Sequence, residues 1–329
     1  MKIGLLVNRP AEVHALQTTA LLGAAALRRG HGLAVFGVAD LTVSPDEALL
    51  ARALSVAPDA AASEARLVDA LAAGTPATVD LQGLDLVLVR TSPGRDTARQ
   101  ALHDTALDIL RLADRRGVAV LNTPDGLARA ATKLFTVELP ADTRPRTLVS
   151  ARPAELLAFV AAAPGPVVLK PLVGTQGRDV FRVEPAGDPN LAQIVEVLLR
   201  SGYAVAQDYL PEAPDGDVRV MVLGGAPLRV GGHVAAVRRA PAPGAFRSNV
   251  ALGGKAHPAR PTAAMLDAAT RIGAILLREG IELAGLDFIG DRVVEANVFS
   301  PGGLHDAEAF FGVDYSAAIW EHLEQRVAS

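Results

Sequence analysis

The sequence predicts an α/β region with a parallel sheet, followed by an α+β region around a largely antiparallel sheet. Strand and helix patterns alternate through the first third of the chain, an order typical of parallel sheets covered by helices. From about residue 122 the pattern changes to short strands with fewer helices between them. The chain of 329 residues is also long for one domain, so two or three domains sharing a cleft are expected.

The first third contains four buried strand patterns and two helix patterns. The strands read KIGLLV, LAVFGV, LDLVLVR and VAVLN, and the helices read LQTTALLGAAALRR and DTARQALHDTALDILRLADRR. No G-x-G-x-x-G follows the first strand, so the dinucleotide-binding fingerprint is absent. Ligands of such sheets bind beyond the C-terminal strand ends, here near Asn8-Arg9 and Arg90-Thr91-Ser92.

The remainder begins with NTPDGLARAATKLFTVELP, which predicts a connecting helical segment. Short strands are predicted at PVVLKPL, DVFRV, YAVAQDYL, DVRVMVLGG and PLRVGGHVAAV. Helices are predicted at AELLAFVAA, PNLAQIVEVLLRSG, TAAMLDAATRIGAILLREG and YSAAIWEHLEQRV. RRAPAPGAFRSN, residues 238–249, is rich in Pro and Gly and predicts a mobile loop.

Composition excludes several classes of protein. Half of the residues are hydrophobic and 21% are charged, which fits a globular enzyme rather than a disordered chain. The net charge of −4 without a basic stretch argues against nucleic acid as a partner. Without cysteines there are no disulfides, and a metal needs oxygen or nitrogen ligands. The apolar run at the N-terminus is too short for a signal peptide, and ALLGAAAL is too short to span a membrane, so a cytoplasmic protein is expected.

A lysine and two glycines in VVLKPLVGTQG suggest a phosphate site. Lys170 ends an apolar strand, and Gly174 and Gly177 follow it in a loop. Glycines let backbone N–H groups approach phosphate oxygens, and the lysine adds a point charge. Only four of the 32 basic residues are lysines, which strengthens the case for a required ammonium. The alternative is a hairpin turn with an edge lysine.

AQDYLPEAPDGDVRVMV offers a second group of binding residues. Gln207 to Leu210 end one strand, and Asp217 and Arg219 begin the next. A strand running into a loop exposes backbone groups to an adenine edge, and Asp217 could bind ribose hydroxyls. The alternative is a turn rich in Pro, Asp and Gly that carries a solvated acid.

Two acids and an amide near the C-terminus suggest a magnesium site. Glu295 and Asn297 are two residues apart on a strand and share a face, and their oxygens suit Mg²⁺ together with Asp287. However, Gly290-Asp291 favours a two-residue turn, whose register pairs Asp287 with Val294. A common metal site therefore requires a three-residue loop or a bulge, so that Asp287 pairs with Glu295. The alternative is an acid buried against an arginine.

Taken in order, these segments resemble the bacterial glutathione synthetase family of ATP-grasp ligases over nearly the whole chain. The resemblance is strongest in ATKLFT, LKPLVGTQG, AQDYLP, DGDVRV, NVALGGKAHP and GLDFIGDRVVEANVFSP. It implies an ATP-grasp fold with an N-terminal α/β domain (1–122), a central lid domain (123–210) and a C-terminal antiparallel domain (211–329). It also implies that ATP binds between the central and C-terminal domains together with two Mg²⁺ ions, which Mn²⁺ can replace. The implied oligomer is a dimer or tetramer.

The resemblance assigns roles to individual residues. The implied nucleotide ligands are Lys133, Lys170, Gly174, Gln176, Gly177, Gln207, Tyr209, Leu210 and Asp217. The implied metal ligands are Asp287, Glu295 and Asn297. The arginines implied to face phosphate and the reacting carboxylate are Arg219, Arg238 and Arg247, with Asn249 in the adjoining loop. Because acyl phosphates hydrolyse, a lid that excludes water is expected, and residues 238–249 are the candidate for part of it.

Departures from the family pattern cluster where the organic substrate is held. The family's lysine- and serine-containing segment appears as VHALQTTAL, its Lys-Asp-Pro-Pro-Phe-Asp as RTSPGRD, and its Ser-Pro-Thr-Cys-Ile-Arg-Glu as SPGGLHD. The candidate substrate residues are Arg90, Ser92, Arg95, Gly253, Gly254, Ser300, Gly302 and Gly303. This pattern predicts a carboxylate–amine ligase acting on another amino acid or small peptide. The alternatives are a true glutathione synthetase, an ATP-grasp phosphotransferase and an inactive nucleotide-binding protein.

Overall fold

The first region of the computed structural model forms a sheet of seven strands. The model describes residues 1–174, 179–185, 187–241 and 255–328. The strands are β1 (Lys2–Val7), β2 (Gly32–Gly37), β3 (Leu41–Val43), β4 (Leu49–Val56), β5 (Ala77–Asp80), β6 (Leu86–Val89) and β7 (Ala119–Leu121). They are ordered β3-β4-β2-β1-β6-β7, and β5 pairs with β4. The four predicted strands pair in parallel, whereas β3, β4 and β5 add an antiparallel edge that the sequence did not predict.

Three long helices accompany this sheet: α1 (Thr18–Arg28), α2 (Glu64–Ala73) and α3 (Gln100–Arg115). Helix α1 begins just beyond the C-terminal end of β1, and α3 follows the loop after β6. Consequently the ends of β1 and β6, their loops and the start of α1 lie at one edge of the sheet, where binding was predicted. The short helix α4 (Pro124–Arg129) and a 3₁₀ segment, Lys133–Glu138, lead into the next region.

The second region is a smaller antiparallel sheet, called the lid sheet below. Its strands are β8 (Thr147–Ser150), β9 (Val167–Pro171), β10 (Phe181–Val183) and β11 (Ala204–Asp208), and its helices are α5 (Pro153–Ala161) and α6 (Leu191–Leu199). The strand order is β10-β9-β11-β8. Its buried apolar residues form a core of their own, drawn only from residues 148–206. Lys170 therefore lies on an interior strand, which contradicts the edge-lysine alternative.

The third region is an antiparallel sheet ordered β17-β16-β12-β18-β19, with β13 paired to β12 and a separate hairpin of β14 and β15. The strands are β12 (Asp217–Leu223), β13 (Ala226–Pro227), β14 (Arg229–Val230), β15 (His233–Val234), β16 (Ala236–Ala240), β17 (Lys255–Pro258), β18 (Leu283–Ile289) and β19 (Arg292–Asn297). The helices are α7 (Ala263–Arg278), α8 (Leu304–Phe311) and α9 (Tyr315–Ala328).

The first and third sheets share their hydrophobic cores and are together called the body below. One core joins Phe36 and Val87 of the first sheet to Leu286 of the third, and a second joins Leu22 of α1 to Trp320 of α9. Trp320 also donates a hydrogen bond from its ring nitrogen to the Leu22 carbonyl, at 2.8 Å. The two sheets are thus packed as one hydrophobic unit.

Asn122 connects these two sheets by four hydrogen bonds. Its side-chain nitrogen donates to the carbonyls of Leu283 (2.8 Å) and Val298 (2.6 Å). Its side-chain oxygen accepts from the backbone nitrogens of Glu282 (2.8 Å) and Leu283 (3.0 Å). The amide is buried and all its hydrogen-bonding positions are used. We propose that the three sheets mark the three predicted domains.

No helix within the described ranges is long and apolar enough to cross a bilayer.

Candidate active site

A cleft of about 1430 Å³ lies where the three sheets meet. The first sheet contributes the chain after β1 and β6, the lid sheet contributes β9 and β11, and the third sheet contributes β12, β18 and β19. The walls therefore come from distant parts of the sequence. A substrate held here would contact all three regions.

Most predicted site residues line this cleft. They are Arg90, Ser92, Arg95, Lys133, Lys170, Gly174, Gln207, Tyr209, Leu210, Asp217, Arg219, Asp287, Glu295, Asn297, Ser300, Gly302 and Gly303. Six predicted residues lie outside the described ranges: Gln176, Gly177, Arg247, Asn249, Gly253 and Gly254. The predicted mobile loop falls outside them from residue 242 onward.

A β-bulge places the two acids of the third sheet opposite each other. The turn at Gly290-Asp291 has two residues, because Ile289 pairs with Arg292, as the glycine predicted. The pairing then shifts between Phe288 and Asp287, so that Asp287 faces Glu295 and Val294 is the extra residue. The two-residue turn and the bulge therefore occur together, and both acids reach the same face.

Asp287 lies at the centre of a charged cluster. It is 2% exposed, and Arg219 binds it with two parallel contacts of 2.7 Å. Arg239 contacts Asp287 Oδ2 through Nη2 at 2.7 Å. The same guanidinium contacts Asp217 Oδ1 through Nε at 2.6 Å. Although burial alone would raise it, Arg219 and Arg239 hold the pKa of Asp287 at about 2. The predicted alternative of an acid buried against an arginine therefore applies to Asp287.

The donor set can nevertheless hold a magnesium ion. Asp287 Oδ2 accepts from Arg219, Arg239 and Asn297. Among the described residues, Oδ1 accepts from Arg219 alone and keeps an acceptor position. Asn297 donates through its nitrogen at 3.0 Å, which leaves its oxygen available. No side chain in the described ranges forms a hydrogen bond or ion pair with the Glu295 carboxylate. These free oxygens suit a hard cation that keeps water or phosphate ligands.

Two lysines, the buried Lys170 and the half-buried Lys133, lie near Glu295 in the cleft. Lys170 is 9% exposed and donates to Gln207 Oε1 at 3.1 Å, and Lys133 donates to the Gly174 carbonyl at 2.7 Å. Burial and the neighbouring Lys133 lower the pKa of Lys170 to about 8, while Glu295 opposes this effect. Burial lowers the pKa of Lys133 in the same way. An anion bound between the lysines and the third sheet would supply a counter-charge, which would offset the cost of desolvating the two ammonium groups.

The segment after β11 leaves a backbone donor open. Gln207 is held in place because its amide nitrogen donates to Thr147 Oγ1 at 3.1 Å. The backbone nitrogens of Asp208 and Tyr209 donate to the carbonyls of Arg146 and Pro166, the residues just before β8 and β9. Leu210 N–H has no acceptor in the part of the chain that the structure describes, and it borders the cleft. This donor is suited to the ring nitrogen of a planar base.

Arg239, rather than Arg238, reaches the cleft. Neighbouring residues of a strand point to opposite faces, and Arg239 pairs with Asp217 across β12 and β16. Arg238 instead donates to the Asp215 carbonyl at 3.1 Å on the exposed side. The sequence contains two adjacent arginines, and only the strand register decides between them. Asp217 is 7% exposed, so it is not the solvated acid of the alternative prediction.

The wall formed by the first sheet is rich in arginine. Arg95 lies in the loop after β6, and burial together with neighbouring Arg219 lowers its pKa. Asn8 fixes the start of that loop by accepting from Ser92 N at 2.7 Å. Further along, Asp96 accepts from buried His103 at 3.0 Å. This wall therefore favours an anionic substrate. Asn8 lies at a strand end where binding was predicted, whereas Asp96 and His103 were not predicted as part of the site.

Known families and structures agree with this arrangement. The model of the prokaryotic glutathione synthetase N-terminal domain matches residues 1–128, and that of its ATP-grasp domain matches residues 132–312. The glutathione synthetase of Salmonella typhi is 33% identical over 332 residues, covering 100% of this chain and 99% of that protein.

Two solved structures are similar in fold. The D-cycloserine synthetase DcsG has a TM-score of 0.66 and 19% identity, and 99% of each chain is covered. The ATP-grasp ligase PsnB, complexed with a minimal precursor, Mg and ADP, has a TM-score of 0.61 and 19% identity, with 99% of this chain and 98% of that one covered. The predicted fold class is confirmed. The chain belongs to the prokaryotic glutathione synthetase family, an ATP-grasp family of ligases that form carbon–nitrogen bonds.

Proposed function

We propose that this chain joins a carboxylic acid to an amine at the expense of ATP, through an acyl-phosphate intermediate. The observation that supports this most directly is the distribution of charge across the cleft. Lys133 and Lys170 lie on one side, and Glu295 with arginine-bound Asp287 lies on the other. Phosphoryl transfer depends on such positioning and charge neutralisation more than on covalent chemistry.

The nucleotide binds between the lid sheet and the third sheet. Lys133 and Lys170 neutralise phosphate oxygens, and Gly174 begins the loop that covers them together with Gln176 and Gly177. Leu210 N–H and the chain around Gln207 and Tyr209 receive the adenine, and Asp217 lies on the ribose side. The charges of buried Lys170 and half-buried Lys133 gain a counter-charge when the triphosphate enters, which favours its binding.

Asp287, Glu295 and Asn297 hold the metal in this proposal. When bound, Mg²⁺ neutralises phosphate oxygens and stabilises the charge that develops during transfer. We propose that two ions bind and that Mn²⁺ can replace them. Asn297 is already oriented for this task, because its amide nitrogen is fixed on Asp287 and its oxygen is turned away.

Arg219 and Arg239 position the reacting groups. Both guanidinium groups are anchored on Asp287, so they are held in place before substrate arrives. From there they stabilise the reacting carboxylate and the transferred phosphoryl group. The amine then attacks the acyl carbon, the amide bond forms and phosphate leaves. Arg247 and Asn249 are proposed to complete this site, with Gly253 and Gly254 beside them.

The organic substrates are proposed to be an amino acid or small peptide other than γ-glutamylcysteine and glycine. The altered segments around Arg90 and Ser300 support this choice, since the nucleotide residues are retained while the residues facing the substrate differ. The 33% identity over the whole length of a glutathione synthetase favours glutathione formation as the second candidate. By the same resemblance we propose a homo-oligomer, a dimer or tetramer.

The proposal is tested by incubating the protein with ATP, Mg²⁺ and a panel of amino acids and dipeptides. The panel includes γ-glutamylcysteine with glycine. ADP release together with a dehydrated conjugate, identified by mass, supports the ligase, and hydroxylamine should trap the acyl phosphate as a hydroxamate. A stable phosphorylated product would instead indicate a phosphotransferase. ATP binding without turnover of any acid would indicate a nucleotide-binding protein.

A further inference from the structure

The start of α8 lies against the arginine that is proposed to position the reacting carboxylate. Arg219 donates to the Gly302 carbonyl at 3.4 Å, and a Cβ atom added to Gly303 would lie 3.9 Å from Arg219 Cδ. A Cβ atom added to Gly302 would meet no other atom within 4 Å, so there is open space beside this residue. The first turn of α8 therefore borders the part of the cleft in which the acyl phosphate is proposed to form.

Asp306, in this first turn, is half-buried and lines the cleft with an unpaired carboxylate. Most other acids of the cleft are already bound by an arginine or by a side-chain amide of the protein. Among the described residues that line the cleft, only Glu295 and Asp306 have a carboxylate without a hydrogen bond or an ion pair. Glu295 is assigned to the metal in the proposed function. Asp306 is therefore the remaining acid of the described cleft that can pair with a cation of the substrate.

The groups around the start of α8 are positively charged. Arg90 and Arg219 donate to two consecutive carbonyls just before the helix. Burial, and after it the charge of Arg219, lower the pKa of Arg95, so these two guanidinium groups lie close enough to repel each other. Such cations suit an anionic acid and its phosphate, but they repel an amine in its ammonium form. A free carboxylate beside them offers the ammonium a favourable position.

We infer that Asp306 binds the ammonium group of the amine substrate and holds it beside the reacting carbon of the acid. This inference rests on the proposed ligase function. The carboxylate supplies charge-assisted hydrogen bonds to the ammonium N–H groups. It favours amines that arrive protonated, such as the α-amino group of an amino acid, over uncharged nucleophiles. An acid in a first helical turn also interacts favourably with the helix dipole, so the test has to separate substrate binding from support of the helix.

The test compares charged and uncharged nucleophiles in the same reaction. The protein is incubated with ATP, Mg²⁺ and the acid found in the panel, together with either each amino acid of the panel or hydroxylamine, which is largely uncharged at neutral pH. The variants are Asp306→Asn, which keeps the shape of the side chain, and Asp306→Glu, which keeps its charge. Glu64→Gln is the matched control, because Glu64 is an acid in the first turn of α2, outside the cleft.

Asp306→Asn should raise KM for the amino acid about 10- to 100-fold, as expected for the loss of hydrogen bonds to a charged group. The rate of hydroxamate formation from hydroxylamine should stay unchanged, which also shows that the variant is folded. Asp306→Glu should recover part of the affinity for the amino acid, and Glu64→Gln should match the unmodified protein in both assays.

An equal loss with both nucleophiles would assign Asp306 to support of the helix and overturn the subsite. An unchanged KM for the amino acid would also overturn it, as would hydroxamate formation by a protein that conjugates no amino acid of the panel. If the unmodified protein gives neither hydroxamate nor ADP release, that separate result contradicts the ligase reaction itself.

Discussion

The lid sheet and the body are stabilised in different ways. The lid sheet has its own hydrophobic core, whereas the two sheets of the body share theirs and are joined by Asn122. The cleft lies between these two units, with Lys170 on the lid side and the acids and arginines on the body side. A unit with a separate core can move without breaking the other's packing. We therefore expect the lid sheet, and not the junction at Asn122, to move during the reaction.

The largest effect on stability is expected from removing the hydrogen bonds that Asn122 forms between the two sheets of the body. Asn122→Leu leaves backbone groups of Glu282, Leu283 and Val298 buried without partners, which should lower the free energy of unfolding by more than about 4 kcal/mol. Urea denaturation measures the change. Asn190→Leu is the control, because Asn190 is exposed and its side chain makes no capping hydrogen bond at the start of α6, and it should stay within about 0.5 kcal/mol. Equal effects would contradict the assigned role of Asn122.

A change on the body side of the cleft should remove activity but keep the fold. Glu295→Gln preserves shape while removing a charge, so kcat should fall about 10²- to 10³-fold with little change in melting temperature. The measurement is ADP release with the acid found in the panel. Glu196→Gln, on an exposed surface of α6, should retain full activity. Near-normal activity of Glu295→Gln would refute the metal assignment.

A cavity in the lid core should loosen the lid sheet alone. Leu169 is fully buried there, and Leu169→Ala should cost the lid sheet about 3 kcal/mol. Hydrogen exchange measured by mass spectrometry should accelerate in β8 to β11 and stay unchanged in β1 and β18. Leu157→Ala, in a partly buried position of the same core, should produce a smaller change of the same pattern. Faster exchange throughout the body would show that the two units are not independent.

The smallest effect is expected in the pH dependence of stability, through the charge of Lys170 on the lid sheet. Lys170 has a pKa of about 8, below the 10.5 of an exposed lysine, so between these values the unfolded chain binds more protons than the folded one. Stability without nucleotide should therefore rise with pH from about 8 to about 10.5, by up to about 3 kcal/mol. Urea denaturation at pH 7, 9 and 10.5 measures this. Lys170→Met should show a smaller rise, with Lys133 contributing what remains, and an identical pH profile in both proteins would be inconsistent with a buried ammonium at Lys170.

Strands with a continuous apolar pattern could be predicted from sequence, and registers could not. KIGLLV and LDLVLVR both form parallel strands because burial on two faces leaves a strong signal. The hairpin of β3 and β4 gives weaker alternation and was missed. Arg239 was missed because the choice between it and Arg238 depends on pairing with β12, a contact distant in sequence. The role of Asn122 likewise appears only when two sheets meet.

The extra residue Val294 has a consequence for comparing related chains. One inserted position, and not the identity of any acid, decides whether Glu295 points at the lysines or away from them. A relative that keeps both acids but lacks one residue between them would retain both acidic residues in an alignment and still present a single carboxylate to the nucleotide. Spacing along this hairpin is therefore a better guide to catalytic competence than the presence of its acidic residues.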